Sequence, residues 1–331
     1  MSRRNSKMKR SCLLLFLMLL CSQVFCYTFE ELKKLPYKQT AFYGGSFSSE
    51  LLDKVRDFEG NAKSFLSDFD NCYEYKNHVL TDAEKFFFTE YFSCLPEKLK
   101  ACFLEHVYAV YFVEGMRYGG LTDFVFDENQ KMYCTVYFNI DTFRYTLDEW
   151  LELRDNSIFT KTDDANKIKV ECSKEWKAFL HVLTHESAHV YDYINHVTPY
   201  ADSFENGRKS DSVYYTYWKD MYHPVKEFDN KLLSKFSFYY FGKQVPFSKA
   251  NSLVLYISET PFSTLYGAKN WQDDFAETLT FYYFRKAFGL DYKITCMEKG
   301  KAKATYILSQ NTNVRVWDSL CEELTGIGER P

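Results

Sequence analysis

Two histidines and a glutamate carry the clearest chemical signal in this 331-residue chain: His185-Glu186-Ser187-Ala188-His189. On a helix, residues four apart stand one turn apart on one face, so two imidazoles can reach one Zn²⁺ at about 2.0–2.1 Å. Glu186 falls one residue on, at the rim of that face. There it meets a water beside the ion without ligating the ion. The chemistry such a trio supports is hydrolysis. Zn²⁺ polarises a carbonyl, and the carboxylate takes the water's proton and passes it to the leaving amine. The bland alternative is a surface helix with scattered histidines. It leaves Glu186 unexplained beside the apolar Phe179, Leu180, Val182 and Leu183.

A zinc centre of this kind needs a third protein ligand and an open position. A third histidine six residues after His189 is absent, because that position is Asn195; His196 is one residue out of register. An acidic residue on a later helix is the other solution, and Asp273-Asp274-Phe275-Ala276-Glu277 supplies it. Asp273 and Glu277 are again four apart, so one face offers two carboxylates: one for the metal and one to orient a ligating histidine from behind. Asp273 also lies three residues after Asn270, where an acid completes a helix N-terminus. His181 is one turn before His185 on the same face; it either lines the cleft or backs a ligand from behind, or packs in the core or at its boundary, the favoured reading. His78, His106 and His223 show no partner pattern.

These residues need rigid elements to hold them. Ser173 suits the cap of a long helix over about 174–194 that carries the histidines, and Pro199 marks the latest point at which it stops. Asn270 caps a second helix that ends before Gly289. Thr81-Asp82-Ala83-Glu84 and Thr146-Leu147-Asp148-Glu149 are capping boxes that open further helices. Pro96-Glu97 suits the first turn of a helix reaching about His106. Residues 109–113, 121–126 and 132–138 are short runs rich in β-branched and aromatic side chains, separated by Gly119-Gly120 and Asp127-Glu128-Asn129. They predict three strands of a small sheet. Residues 49–70 carry roughly helical spacing interrupted by Gly60, and 197–262 is irregular and rich in Tyr and Phe. The fold class is α+β.

Thr184-His185-Glu186-Ser187-Ala188-His189-Val190-Tyr191-Asp192-Tyr193 can be taken with Tyr266-Gly267-Ala268-Lys269-Asn270 and Asp273-Asp274-Phe275-Ala276-Glu277. Together they resemble the lethal-factor-like zinc peptidases, gluzincin-type zincins that include the anthrax lethal factor catalytic domain and the Pro-Pro endopeptidases. The resemblance spans about 25 residues. It implies a zincin-like metallopeptidase core in which a small sheet packs on the active-site helix. It also implies zinc ligation by His185 and His189, with Glu186 as the base and Tyr266 as the tyrosine that stabilises the oxyanion and donates a proton. Asp273 stands where the family's metal-binding acid, usually Glu, is found. Glu277 matches the glutamate behind the ligands and is the alternative third ligand.

Composition bounds the rest. The chain is 46% hydrophobic and 26% charged, which suits a sizeable core and not a disordered chain. A formal charge of −4 leaves no electrostatic footprint for nucleic acid. Arg3, Arg4, Lys7, Lys9 and Arg10 precede an apolar run from Cys12 to Leu20, which predicts a signal peptide over 1–26. No later apolar run approaches the ~18 residues of a membrane span. The expected product is therefore secreted or periplasmic, with a membrane-anchored form as the alternative. Seven cysteines lie beyond the leader, an odd number, so at least one stays unpaired within the chain. The expected organisation is a helical segment over 27–80 and a zincin-like catalytic domain over 81–331, with an insertion at about 197–262. The expected function is a zinc metalloendopeptidase acting on protein or peptide; the alternative is a non-catalytic binding or surface protein that keeps the metal site.

Overall fold

The computed structural model describes residues 29–199 and 214–327. The leader and residues 200–213 of the 197–262 segment lie outside the described residues. In chain order the elements that matter for the site are α1 (Gly60–Asp70), β1 (Lys76–Asn77), α2 (Asp82–Ser93), α3 (Glu97–His106), β2 (Val107–Glu114), β3 (Gly120–Phe126), β4 (Met132–Asn139), α4 (Leu147–Asn156) and β5 (Lys167–Glu171). Then follow α5 (Ala178–Asn195), α6 (Ala250–Ser258), α7 (Trp271–Tyr283), β6 (Lys293–Glu298), β7 (Lys301–Ile307) and α8 (Asp318–Thr325). The architecture is α+β. Among the described residues no helix is long and apolar enough to cross a membrane.

The three expected strands form, joined by the short β1, in a sheet of order β1-β2-β4-β3. β2 and β4 run parallel, and β3 is antiparallel to β4 at the edge. The runs read as continuously apolar because the sheet is covered on both faces. Alternate residues sort cleanly: Val110, Phe112, Val136 and Phe138 enter the main core, while Ala109, Tyr111, Val113 and Tyr137 pack with Phe58, Ala62 and Leu66 on the other face. The 49–70 pattern is thus split: Leu52–Lys54 form a 3-10 turn, and the helix α1 begins at Gly60 and covers the outer face of the sheet. A second sheet, order β7-β6-β5, is wholly antiparallel. Its hairpin follows α7, in a region the sequence pattern left unassigned.

The inner face of the first sheet holds α5. Phe179, in its first turn, has ring centroids 4.3 Å from Phe143, 5.2 Å from Phe138 and 5.8 Å from Phe88. Burying one such ring contributes about 1.5–3 kcal/mol, and this contact fixes where the helix begins. Both capping boxes form as the sequence predicts. Ser173 does not cap α5. Its hydroxyl accepts from the backbone N–H of Glu175 and Trp176, 3.2 Å each, in the turn ahead of the helix. The helix itself begins at Ala178, after Lys177. It ends at His196, which adopts the left-handed conformation at φ 54°. That cap role takes His196 out of the ligand set. All seven cysteines among the described residues are unpaired.

The histidines without a sequence partner find one in the fold. His106 approaches the carbonyl of Met132 at 3.3 Å and His223 approaches Asp220 at 2.7 Å. His78 sits between two acids, Nδ1 at 3.1 Å from Glu114 and Nε2 at 3.1 Å from Glu84. Both ring nitrogens can donate only in the imidazolium. Burial works against that charge, but the two carboxylates outweigh it and raise the pKa above its usual value. The stabilisation is therefore complete below about pH 6.5, the unfolded value, and is lost as pH rises through the folded value. The gap in melting temperature between wild type and His78→Gln is expected to be widest near pH 5.5 and to close toward pH 9. A gap that widens with pH would refute this assignment.

Candidate metal centre

α5 and α7 meet along the faces that carry the chemistry. His185 Nε2 and His189 Nε2 lie 3.1 Å apart, as one helical turn requires. Asp273 Oδ1 lies 3.4 Å from each of them. Asn270 explains how Asp273 is held. Its side-chain oxygen accepts from the Asp273 backbone N–H at 2.8 Å, and its amide donates to Asp273 Oδ2 at 2.6 Å. One oxygen of Asp273 completes the helix cap and the other faces the histidines, so both sequence readings of Asp273 hold together.

Glu277 lies behind this trio, fully buried. Its Oε1 is 2.9 Å from His181 Nε2 and 3.2 Å from His185 Nδ1. Its Oε2 accepts from Arg154 Nη1 at 2.9 Å and from the Thr264 hydroxyl at 2.7 Å. Among the described residues two groups of donors could hold a metal ion: His185–His189–Asp273, and the wholly buried His181–His185–Glu277. Both acids are held ionised by the cationic groups around them. Burial opposes ionisation of Glu277, but Arg154 and His181 hold its carboxyl well below the usual range. Burial likewise opposes ionisation of Asp273, yet its contacts with His185 and His189 bring it down to about 2.

Glu186 is positioned from the sheet side. The Thr122 hydroxyl of β3 donates to Glu186 Oε2 at 2.8 Å. Burial pushes the Glu186 carboxyl above its usual value. Gly119-Gly120, expected only to separate strands, has a second role. A Cβ on Gly120 would stand 2.7 Å from Glu186 Cγ, and one on Gly119 would stand 2.5 Å from Val182 Cγ2. Glycine here lets the edge strand ride directly over α5.

Tyr266 precedes the tight turn Gly267–Lys269 that leads into α7. The Gly267 N–H donates to the Thr264 hydroxyl at 3.0 Å, which ties this turn to Glu277. The Tyr266 ring centroid is 5.8 Å from that of His185, and the ring lines one small cleft with His185, Glu186 and Gly120. Burial keeps its hydroxyl protonated, with a pKa well above the usual phenol value. All six expected site residues thus converge.

Several participants escaped the sequence reading. His181 takes the less favoured of its sequence readings: it joins the polar network through Glu277 at 2.9 Å. Arg154, Thr122 and Thr264 were not singled out. Arg154 had a legible signal: Leu147, Trp150 and Leu151 define the inner stripe of α4, and Arg154 falls on its next position. A charged residue on a buried stripe asks for a buried partner. The 197–262 segment contributes Tyr239 to the cleft, 5.9 Å from Tyr266 between ring centroids. It also contributes Trp218, which donates to Asp274 at 3.0 Å. No protein-family model, curated protein or solved structure matches the chain.

Proposed function

We propose that this chain is an exported, zinc-dependent metallopeptidase of the zincin type, similar to the lethal-factor-like group and acting on protein or peptide. The observation that carries the reading is the triangle of donor atoms. Its sides are 3.1, 3.4 and 3.4 Å, against about 3.3 Å between ligands of a tetrahedral centre at zinc–nitrogen and zinc–oxygen distances. His185, His189 and Asp273 would hold the ion. The buried alternative fits less well. Both oxygens of Glu277 already serve Arg154, Thr264 and His181, and a fully buried group leaves no open position for a substrate.

When bound, zinc would act as a Lewis acid on the scissile carbonyl and lower the pKa of the attacking water. Glu186, steered by Thr122, takes the proton from that water and hands it to the leaving amine. The protonated Tyr266 hydroxyl donates to the oxygen that gains negative charge. Glu277 fixes the ring of His185 from behind and is itself fixed by Arg154. The basic and apolar leader supports export.

The test is metal analysis and digestion of a peptide mixture by the purified chain beginning at residue 27. One zinc per chain is expected, with cleavage that a chelator removes and that His185→Ala or His189→Ala abolishes together with the metal. Wild-type protein that takes up no zinc, or that cleaves nothing when loaded, overturns the proposal.

A further inference from the structure

Next to the cleft of the proposed metal-binding trio lies a second cavity of about 200 Å³. The two spaces share Arg154 and Tyr239. One wall of the cavity is aromatic, and Arg117, Asn139 and Asp141 also line the cavity. Trp150 lies 5.9 Å from Tyr145 and 6.2 Å from Tyr239 between ring centroids, and Tyr240 continues the surface. Tyr239 and Tyr240 have φ of 57° and 61°, a left-handed conformation uncommon for bulky side chains. The Tyr239 N–H is held there by the Ser157 hydroxyl at 2.7 Å. Two consecutive residues in that region, both lining one cavity, mark the kind of strain that clusters at ligand sites.

Arg154 forms the floor and is 1% exposed. Nε binds Asp155 and Nη1 binds Glu277, each at 2.9 Å. Nη2 is buried with no hydrogen-bond partner among the described residues. A buried donor left without an acceptor is unfavourable, so the floor calls for one. Asp155 and Glu277 already balance the guanidinium charge, so a neutral acceptor suffices. Size points the same way: a cavity of about 150 Å³ holds benzene, so this one has room for a phenol.

We propose that this cavity is a side-chain subsite beside the metal centre and takes tyrosine, its ring on the Tyr145–Trp150–Tyr239 wall and its hydroxyl accepting from Arg154 Nη2. The assignment of the bound tyrosine to a peptide substrate rests on the metallopeptidase reading above. The pocket itself can be tested without turnover.

Two measurements separate the ideas. In the first, the zinc-loaded wild-type chain digests a peptide mixture. Tyrosine should dominate one position flanking the cleaved bond, over phenylalanine by roughly fivefold, the worth of one hydrogen bond, and over alanine by more than about tenfold. In the second, N-acetyl-tyrosine amide and N-acetyl-alanine amide are titrated by NMR into the Glu186→Gln protein. Only the tyrosine compound should bind. Leu153 lines the cavity and is 49% exposed, so Leu153→Trp fills the space without disturbing the fold or the zinc ligands. It should keep zinc and lose both the binding and the preference. Arg154→Met removes the floor donor and should erase the preference for tyrosine over phenylalanine; if it fails to fold, Leu153→Trp still decides. Cleavage with no tyrosine preference, or binding unchanged in Leu153→Trp, overturns the subsite and leaves the peptidase standing. Binding that Leu153→Trp abolishes, in a protein that cleaves nothing, upholds the pocket and overturns the peptidase.

Discussion

Glu186→Gln protein is expected to bind zinc as the wild type does and to hydrolyse peptide at least about 10²–10⁴-fold more slowly, the usual contribution of a positioned acid–base group. The reason is local. Glu186 is not one of the three atoms that form the donor triangle, so exchanging its carboxylate for an amide leaves the metal shell alone. The amide oxygen can still accept the Thr122 hydroxyl that now contacts Oε2, so the side chain stays in place. The amide cannot take a proton from water at neutral pH. Progress curves on the best peptide, with zinc measured on the same preparations, check both halves. Turnover at the wild-type rate would remove Glu186 from the mechanism and the peptidase reading with it.

The second large effect separates the two acids of α7. Asp273→Ala should empty the centre, because it deletes one of three donors. Asp273→Glu keeps the carboxylate and should retain zinc. Glu277 has a different weight from the one its spacing alone implies. It is the buried counter-ion of Arg154, and removing one partner of a buried ion pair typically costs about 3–5 kcal/mol. Glu277→Ala should therefore lower the melting temperature sharply. Glu277→Gln is the better probe of the metal, and the expected cost there is the roughly 10–100-fold typical of a lost partner behind a ligand. Zinc titration and thermal melts of the four variants decide it. Zinc retained in Asp273→Ala and lost in folded Glu277→Gln would reverse the assignment.

The parts of this centre that were legible in the sequence are those set by local rules. His185 and His189 meet because a helix repeats every 3.6 residues, and Asp273 is held because Asn270 caps the helix that carries it. The three strand runs and both capping boxes follow from equally local signals. What escaped is set by tertiary contact. Arg154 and Glu277 are 123 positions apart, and no periodicity links them. Thr122 and Glu186 meet because Gly119 and Gly120, at the start of β3, let the strand lie against α5. The start of α5 was misplaced because Ser173 satisfies a turn of its own and the packing of Phe179 fixes where the helix begins. In the 197–262 segment α6 was missed. Its nine residues, ANSLVLYIS, lie in a Tyr- and Phe-rich stretch where short apolar runs do not distinguish helix from loop.

The ion network behind the histidines also governs when the centre can exist. Its members come from α4, α5 and α7, and the two pairings that Glu277 makes with Arg154 and His181 close 123 and 96 residues of chain. Closures of that length carry their entropy cost before any contact rewards them, and they place this centre among the slow, non-local events of folding. A chain emerging from the ribosome and complete only to residue 260 already has its histidine pair, yet it lacks Asp273, Glu277 and Tyr266. In the proposed centre the third ligand, the residue that orients His185 and the proton donor all arrive after residue 260. For the proposed peptidase this means that its own half-made copies have no competent centre with which to attack the cell that makes them.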